Sequence, residues 1–108
     1  MGTISLIIPV KDDYEYFERN LLDITDQTML PNEIVIVDSS SNNNVKRFIE
    51  QYTGTVPIIY HREKKAYPGK ARNIGVKLAN GAWIAFLDAK TLPTEDWLER
   101  YFHLMEAF

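Results

Sequence analysis

The 108-residue sequence contains no cysteine, and none of its apolar runs approaches the roughly 20 residues that a membrane-spanning helix needs. The lack of cysteine excludes disulfides, cysteine-ligated zinc and thiol catalysis, and it is compatible with a reducing cytoplasm. The net charge of -3 argues against a broad nucleic-acid surface, which needs a basic footprint. No basic segment followed by a long apolar stretch opens the chain, so the sequence shows no signal peptide.

Several well-known chemical motifs are also missing. The sequence has no G-x-G-x-x-G, and Lys64 stands where a Walker-type loop ending at Gly69 would need its first glycine. No serine lies in a nucleophile elbow. His61 and His103 lack the spacing of metal ligands, and we interpret both as ordinary polar residues. The remaining candidate functional groups are carboxylates and a basic segment.

The residues that are present predict one α/β domain over residues 1–108. Four apolar, strand-like runs alternate with helical patterns along the chain. The runs cover residues 4–10, 33–37, 56–60 and 82–87, and the helical patterns cover 14–27, 45–52, 70–79 and 95–108. Such alternation favours an open, mainly parallel, Rossmann-like sheet with helices on both faces. The first helix is expected to bury Phe17, Leu21, Leu22 and Ile24 on one face.

Local signals set the other expected boundaries. Pro57 lies near the start of the third run, which predicts an edge strand followed by a polar loop over residues 61–69. Thr94 is expected to cap the last helix. That helix has no stop signal after it, so we expect a chain that was cut after a helix or a gene that continues.

Two carboxylates, Asp38 and Asp88, come directly after the second and fourth apolar runs. The carboxyl ends of parallel strands meet at one edge of the sheet, where such folds bind ligands. A carboxylate there can accept hydrogen bonds from ribose hydroxyls or from a nucleobase N–H. Each aspartate alone could equally end its strand and cap a nearby turn. Because two lie at the same edge, we interpret them as a ligand site and expect both side chains in one cleft.

A basic segment precedes and enters the third predicted helix. It consists of Arg62, Lys64, Lys65, Lys70 and Arg72, in an otherwise acidic chain. Phosphates are attracted by such charges and by a helix N-terminus. We interpret Lys64 and Lys65 as solvated loop residues. Arg72 is different, because it lies in the first turn of a helix whose N-terminus is expected to face the crevice.

Four sequence blocks carry a family resemblance. They are ISLIIPV at residues 4–10, EIVIVDSSS at 33–41, KARNIG at 70–75 and GAWIAFLDA at 81–89, with Gln27-Thr28 before the second block and Trp97-Leu98 after the last. In this order and spacing they resemble the N-terminal half of family 2 glycosyltransferases, which have the GT-A fold. The third block is similar to the family's A-R-N-x-G helix, and the fourth is similar to the strand that leads into its D-x-D motif. The resemblance implies a partial GT-A domain with the sheet order 3-2-1-4.

The resemblance also implies a binding site for a nucleotide-diphospho-sugar, with a UDP-sugar as the expected donor. Pro9 and Val10 would line the base pocket, and Asp38 would bind the base. Arg72 would lie near the base or the phosphates, and Asp88 would meet the ribose or a metal. The residues assigned to nucleotide-sugar binding are Pro9, Val10, Asp12, Asp38, Arg72, Asp88 and Lys90, and none is assigned to catalysis. The resemblance further implies inverting transfer to an unknown acceptor, in the cytoplasm or at the cytoplasmic face of a membrane.

The D-x-D motif departs from the family pattern, because it reads Asp88-Ala89-Lys90. In the family its carboxylates hold Mn²⁺ or Mg²⁺ on the diphosphate, and the cation neutralises the leaving group. A charged lysine cannot ligate this cation and would repel it. Either Lys90 contacts the diphosphate in place of the metal, or the site has decayed and Lys90 is a solvated loop residue. No metal cofactor is therefore assigned.

The sequence offers no acceptor-binding segment and no candidate catalytic base after Phe108. We expect a truncated domain that binds a donor weakly, catalyses little or nothing, and self-associates through an exposed sheet face. One alternative is a non-catalytic GT-A-like domain that serves binding or assembly. Another is a flavodoxin-like module, whose acidic cluster and distant lysine Asp12, Asp13, Asp38 and Lys90 imitate. Strand order separates these folds, since the flavodoxin-like order begins 2-1-3.

Overall fold

The computed structural model describes residues 2–88 and 90–107, and within them strands and helices alternate along the chain. The elements are β1 (Ile4–Val10), α1 (Tyr14–Thr25), β2 (Glu33–Asp38), α2 (Asn44–Glu50), β3 (Ile58–Arg62), α3 (Pro68–Leu78), β4 (Trp83–Phe86) and α4 (Trp97–Glu106). This is the alternating α/β organisation predicted from the apolar runs. In the described part of the chain, no helix is long and apolar enough to cross a membrane.

The four strands form one parallel sheet in the order β3-β2-β1-β4. Val10 of β1 lies opposite Asp38 of β2, and Ile7 of β1 lies opposite Phe86 of β4. The sheet is open, and β3 and β4 form its edges within the described residues. The predicted order 3-2-1-4 is confirmed, and the order 2-1-3 of a flavodoxin-like module is excluded.

Helices cover both faces of the sheet, as predicted. Successive side chains of a strand point to opposite faces, and Ile4, Leu6 and Ile8 join the larger core with side chains of α1, α2 and α4. Ile7 of the same strand joins the smaller core under α3. All four side chains are fully buried, and burying each one stabilises the fold by about 1.5–3 kcal/mol. Burial on both faces explains why this strand is apolar nearly throughout.

The buried face of α1 differs from the prediction at one position. Phe17, Leu21 and Ile24 are buried together with Asn20, because residues three, four and seven positions apart share a helix face. Leu22 lies five positions after Phe17, on the outer side, and it is 58% exposed. The prediction that Leu22 belongs to the core was therefore wrong.

The third strand is shifted towards the carboxyl end. β3 spans Ile58–Arg62 rather than residues 56–60, so the prediction of a loop at His61 and Arg62 was wrong. Pro57 has no N–H to donate, but its carbonyl oxygen accepts a hydrogen bond from the Ile34 N–H of β2 at 2.9 Å. His61 and Arg62 pair with the last two residues of β2, because that strand itself extends to Asp38. β3 is an edge strand, as Pro57 had indicated.

α4 begins without the predicted cap. The Thr94 hydroxyl donates to Oδ1 of Asp96 at 3.0 Å, and no side chain at the cap position bonds to the helix backbone. The Leu98 N–H donates instead to Oε1 of Gln27 at 3.0 Å. The Gln27 amide also donates to the carbonyl oxygen of Thr94 at 2.6 Å. A side chain distant in sequence thus satisfies the start of the helix, which a local capping motif does not reveal.

Candidate functional site

A cavity of about 260 Å³ lies at the carboxyl end of the sheet. Its walls come from the ends of β1 and β4, from the segments that follow each of the four strands, and from the first turns of α3. The lining residues are Pro9, Val10, Lys11, Asp13, Ser39, Ala66, Ala71, Arg72, Phe86, Leu87, Asp88 and Lys90. This is the edge at which parallel α/β sheets bind ligands.

Small residues position α3 against the sheet. Ala71 is buried, and a Cβ atom on Gly75 would lie 2.5 Å from Cγ2 of Ile7 in β1. The helix therefore lies close against β1, with its N-terminal turns at the cavity. Arg72 lines the cavity next to Ala71. Because a helix N-terminus and a guanidinium both attract phosphate oxygens, this wall suits an anion.

The structure brings five of the seven predicted site residues into this cavity. They are Pro9, Val10, Arg72, Asp88 and Lys90. Pro9 and Val10 offer an apolar wall at the end of β1, whereas the three charged residues are exposed to solvent. The cavity thus combines an apolar side with charged groups of both signs.

The Asp38 side chain is fully buried at the end of β2, and it is not among the described residues that line the cavity. Its Oδ2 accepts a hydrogen bond from the Tyr60 hydroxyl at 2.6 Å, and its Oδ1 accepts one from the Ser40 N–H at 3.0 Å. Burial, then the hydrogen bond to Asp38 and its charge, raise the pKa of Tyr60 well above its ordinary value. Because β1 separates β2 from β4, Asp38 and Asp88 stand on either side of that strand. Of the two, only Asp88 lines the cavity, and the contact of Asp38 with a nucleobase stays a prediction.

Asp12 connects two loops beside the cavity. It lies in the turn after β1 with a φ of 57°, a left-handed conformation that aspartate tolerates better than most residues. Its Oδ1 accepts hydrogen bonds from the N–H and the hydroxyl of Ser41, both at 2.8 Å, and these bonds lower the pKa of Asp12. Its own N–H donates to the Ser40 hydroxyl at 2.9 Å. Asp12 is outside the described lining, and its direct role in donor binding stays a prediction.

Asp88 and Lys90 form a turn at the end of β4. The Lys90 N–H donates to Oδ1 of Asp88 at 2.9 Å, and the Thr91 N–H donates to the Asp88 carbonyl oxygen at 2.9 Å. The buried Asn20 of α1 donates its side-chain amide to the same carbonyl oxygen at 3.3 Å. The Lys90 ammonium lies 3.9 Å from Oδ1 of Asp13, which also lines the cavity. The turn therefore places the positively charged Lys90 side chain at the cavity wall.

A divalent cation does not fit the residues at this position. A D-x-D site offers two carboxylates, whereas the second position here is Lys90 and one oxygen of Asp88 already accepts the Lys90 N–H. Ala89, between them, lies outside the described residues. Within residues 2–88 and 90–107, no cluster of three or more Asp, Glu or His side chains is placed to hold a metal ion. A cation at a nucleotide site is held by one or two carboxylates together with the phosphates, and here Asp88 stands beside the Lys90 ammonium instead of a second carboxylate, so the residues present favour an anion.

Arg72 is the only member of the basic segment among the described lining residues. Arg62 instead donates to two backbone carbonyl oxygens of the loop after β2, at 3.0 and 2.8 Å. Lys64, Lys65 and Lys70 are exposed. The positive charge of this segment therefore serves two purposes, since Arg62 holds a loop and Arg72 faces the cavity.

Sequence reasoning missed several residues of this site. Lys11, Asp13, Ser39 and Phe86 line the cavity, but none was assigned a site role. The signal that was available is position, because each lies at or just after the end of a strand. The bond from Tyr60 to Asp38 had no such signal, since it depends on which strands are neighbours.

A second cavity, of about 520 Å³, lies between α1 and α2. Its described lining consists of apolar and uncharged polar residues such as Leu21, Phe48 and Tyr52, without any Asp, Glu, Lys, Arg or His. A charged ligand would find no ionic partner among them. The smaller cavity, with its convergent polar groups, is therefore the candidate site.

Known proteins resemble this chain over most of its length. Glycosyltransferase AglE of Haloferax volcanii is 32% identical over 103 residues, which cover 90% of this chain and 33% of AglE. The crystal structure of Staphylococcus aureus TarS 1-349 in complex with UDP matches with a TM-score of 0.81 at 22% identity, covering 97% of this chain and 32% of that chain. Mannosyltransferase PcManGT from Pyrobaculum calidifontis, in complex with GDP-Man and Mn²⁺, matches with a TM-score of 0.74 at 24% identity, covering 85% of this chain and 28% of that chain. At these identities the two structures show a shared fold.

The chain spans less than half the length of the curated relatives that it matches. The family model for glycosyl transferase family 2 matches residues 5–107. The match runs from β1 through the end of α4, so it includes the strands and helices that build the cavity. The chain therefore belongs to glycosyl transferase family 2.

Proposed function

We propose that this chain is the nucleotide-sugar-binding part of a glycosyltransferase that transfers a sugar from a nucleotide-diphospho-sugar to an acceptor. The observation that carries the proposal is the cavity at the carboxyl edge of the sheet, where Pro9, Val10, Arg72 and Asp88 meet. Membership of glycosyl transferase family 2 supports the reaction class. TarS was solved with UDP and with UDP-GlcNAc, which supports a UDP-sugar as the donor of this chain.

Each wall of the cavity suits one part of such a donor. Pro9 and Val10 supply apolar surface against which a base can lie. Arg72 and the N-terminus of α3 offer positive charge to the phosphates. Asp88 has one carboxylate oxygen held by the Lys90 N–H, and the other can accept a hydrogen bond from a ribose hydroxyl. These residues bind and orient the donor, and none is assigned to the chemical step.

The proposal extends to a transfer that inverts the anomeric centre and to residues 1–108 as one donor-binding domain. The acceptor site and a carboxylate base then belong to a further part of the protein, which is compatible with the 33% of AglE that this chain spans. The chain alone should bind a donor weakly and transfer little sugar. Release of UDP from UDP-GlcNAc well above the rate of spontaneous hydrolysis would contradict this part of the proposal.

Isothermal titration calorimetry with UDP and UDP-GlcNAc tests donor binding. Arg72→Ala should weaken binding about tenfold or more, because it removes a charge-assisted contact to phosphate. Lys77→Ala is the matched control, since Lys77 is exposed in the last turn of the same helix, at the end away from the cavity. Equal weakening by both variants, or no binding of either nucleotide to the unmodified chain, would count against the proposal.

A non-catalytic binding or assembly domain of the same fold is the second candidate. Lys90 favours this second candidate, because it stands where the D-x-D motif has its second carboxylate. Self-association belongs to this candidate, and it is supported by Phe86 and Leu92, which are 39% and 50% exposed in and after the edge strand β4. Sedimentation velocity should then show a dimer or larger species that Leu92→Ser weakens. A monomer at every concentration would contradict self-association.

A cytoplasmic location, or one at the cytoplasmic face of a membrane, completes the proposal. A chain without cysteine is compatible with a reducing compartment. Fractionation of cells that express the tagged protein tests this location. Recovery of the protein outside the cytoplasmic membrane would contradict it.

A further inference from the structure

We propose that Lys90 replaces the divalent cation at the diphosphate of the bound donor, and that Asp13 holds the Lys90 ammonium at the cavity wall until the donor arrives. The inference rests on the proposed function, since it concerns how the same cavity neutralises a nucleotide diphosphate. It starts from a disagreement. The D-x-D motif of the family implies a metal, and the described residues of this chain do not fit one.

The backbone at Lys90 is held in a fixed position. Its N–H donates to Oδ1 of Asp88 at 2.9 Å, and the following N–H, from Thr91, closes a turn on the Asp88 carbonyl oxygen at 2.9 Å. Asn20 joins this turn to α1 through its 3.3 Å hydrogen bond to the same carbonyl oxygen. Lys90 is therefore carried on an anchored turn and lines the cavity. This placement favours contact with a ligand over a solvated loop position.

The ion pair between Lys90 and Asp13 is loose. Its 3.9 Å separation exceeds hydrogen-bond length, and the two side chains are 67% and 26% exposed. An exposed pair of this kind contributes little to stability, so the ammonium can move from Asp13 to a phosphate oxygen at little energetic cost. Asp13 is then the resting partner of the ammonium, and its negative charge competes with the diphosphate for Lys90.

The charges around the cavity suit a metal-free diphosphate. Among the described lining residues, Lys11, Arg72 and Lys90 stand against two acidic residues, Asp13 and Asp88. Arg72 approaches from α3 and Lys90 from the segment after β4, so the phosphates lie between two cations. Lysine binds phosphate well as a point charge. A divalent cation in the same place would be repelled by the Lys90 ammonium.

Calorimetric titration of UDP, in EDTA and then in MnCl₂, tests the role of Lys90. The unmodified chain should bind UDP with the same Kd, within about threefold, in both buffers. Lys90→Ala should weaken UDP binding about tenfold or more and leave the binding of uridine, which has no phosphate, unchanged. Lys90→Arg keeps the charge and should retain most of the affinity. Lys77→Ala removes an exposed lysine away from the cavity and should bind UDP normally.

Two further variants make the test sharper. Lys90→Asp restores a second carboxylate to the D-x-D motif, so its UDP binding should depend on Mn²⁺. Asp13→Asn removes the carboxylate that competes for the ammonium, and it should tighten UDP binding in EDTA about twofold to fivefold. Circular dichroism and thermal melting establish that each variant is folded. If a Lys90 variant does not fold, Asp13→Asn still tests the proposal.

Three results would overturn the inference and leave the proposed function intact. They are Mn²⁺-dependent UDP binding by the unmodified chain, Lys90→Ala with unchanged affinity for UDP, and Asp13→Asn with weakened affinity. In each case the chain still binds UDP. If the unmodified chain binds neither UDP nor UDP-GlcNAc in either buffer, the proposed function fails, and the inference that rests on it fails too.

Discussion

The hydroxyl of Tyr60 donates a hydrogen bond of 2.6 Å to Oδ2 of Asp38, across the carboxyl ends of β3 and β2. The Ser40 N–H donates to the other oxygen of the same carboxylate at 3.0 Å, so two partners satisfy a fully buried acidic side chain. These bonds hold the start of the loop after β2, whose Ser39 lines the cavity. A residue outside the described cavity lining therefore supports one of the cavity walls.

Tyr60→Phe should lower the free energy of unfolding by about 1–3 kcal/mol, because it leaves one oxygen of the buried Asp38 without its partner. Urea denaturation followed by tryptophan fluorescence measures this change. Tyr67→Phe is the matched control, since Tyr67 is 68% exposed. An equal loss of stability in both variants would show that the Tyr60 hydroxyl has no special role.

The raised pKa of Tyr60 predicts a loss of stability in alkaline solution. Burial, then the hydrogen bond and charge of Asp38, keep its proton bound in the native state at a pH where the unfolded chain, whose tyrosines ionise near pH 10, has lost it. This contribution is fully present below about pH 10 and declines as the pH rises beyond it. The unmodified chain should therefore lose stability more steeply than Tyr60→Phe above about pH 10. Urea curves recorded across that range check the prediction, and parallel slopes for the two proteins would refute it.

Gly75→Ala should destabilise the fold by about 1–2 kcal/mol. The new Cβ atom would lie 2.5 Å from Cγ2 of the fully buried Ile7, so α3 must move away from the sheet. The higher helix propensity of alanine offsets only part of this loss. Gly69→Ala, in the first turn of the same helix, meets its nearest neighbour at 3.4 Å and serves as the control that gains propensity without a clash. Thermal melting of both variants should give shifts of opposite sign.

Gln27→Ala should loosen the start of α4. It removes the hydrogen bonds to the Leu98 N–H and to the Thr94 carbonyl oxygen, at a cost of about 1–3 kcal/mol. The Leu98 amide proton should exchange with solvent faster than in the unmodified chain, and the melting temperature should fall by several degrees. Gln51→Ala is the control, because Gln51 is exposed at the end of α2. An unchanged Leu98 exchange rate would mean that Gln27 does not hold the start of the helix.

Glu33 predicts a loss of stability in acid. Burial alone would raise the pKa of Glu33, but hydrogen bonds from Asn80 and from the Ser5 hydroxyl together lower it. A lowered folded-state pKa gives stability that is present above the unfolded pKa, about 4.3, and is lost as the pH falls through the folded value. Glu33→Gln should therefore lose less stability than the unmodified chain between about pH 6 and pH 3. Glu50→Gln, at an exposed position in α2, should follow the unmodified chain.

Local patterns predicted most of the fold. The runs that form β1 and β2 are apolar nearly throughout, and strands buried on both faces have this composition. Their order in the sheet came from the family resemblance, because hydropathy does not say which strands are neighbours. Two predicted boundaries were wrong for a related reason. β3 ends at Arg62 rather than at residue 60, and α4 begins at Trp97 rather than at residue 95. Both boundaries depend on partners far away in the sequence.

Several properties of this protein are readable from the chain without coordinates: the alternation of apolar and polar segments, an aspartate after each of two apolar runs, and Lys90 in place of a carboxylate. Packing decided which aspartate meets the cavity. Asp38 is enclosed because β3 brings Tyr60 beside it, whereas Asp88 stays exposed and carries Lys90 on its turn. The reason is that a buried carboxylate needs hydrogen-bond donors, and these come from whichever strand lies next to it in the sheet.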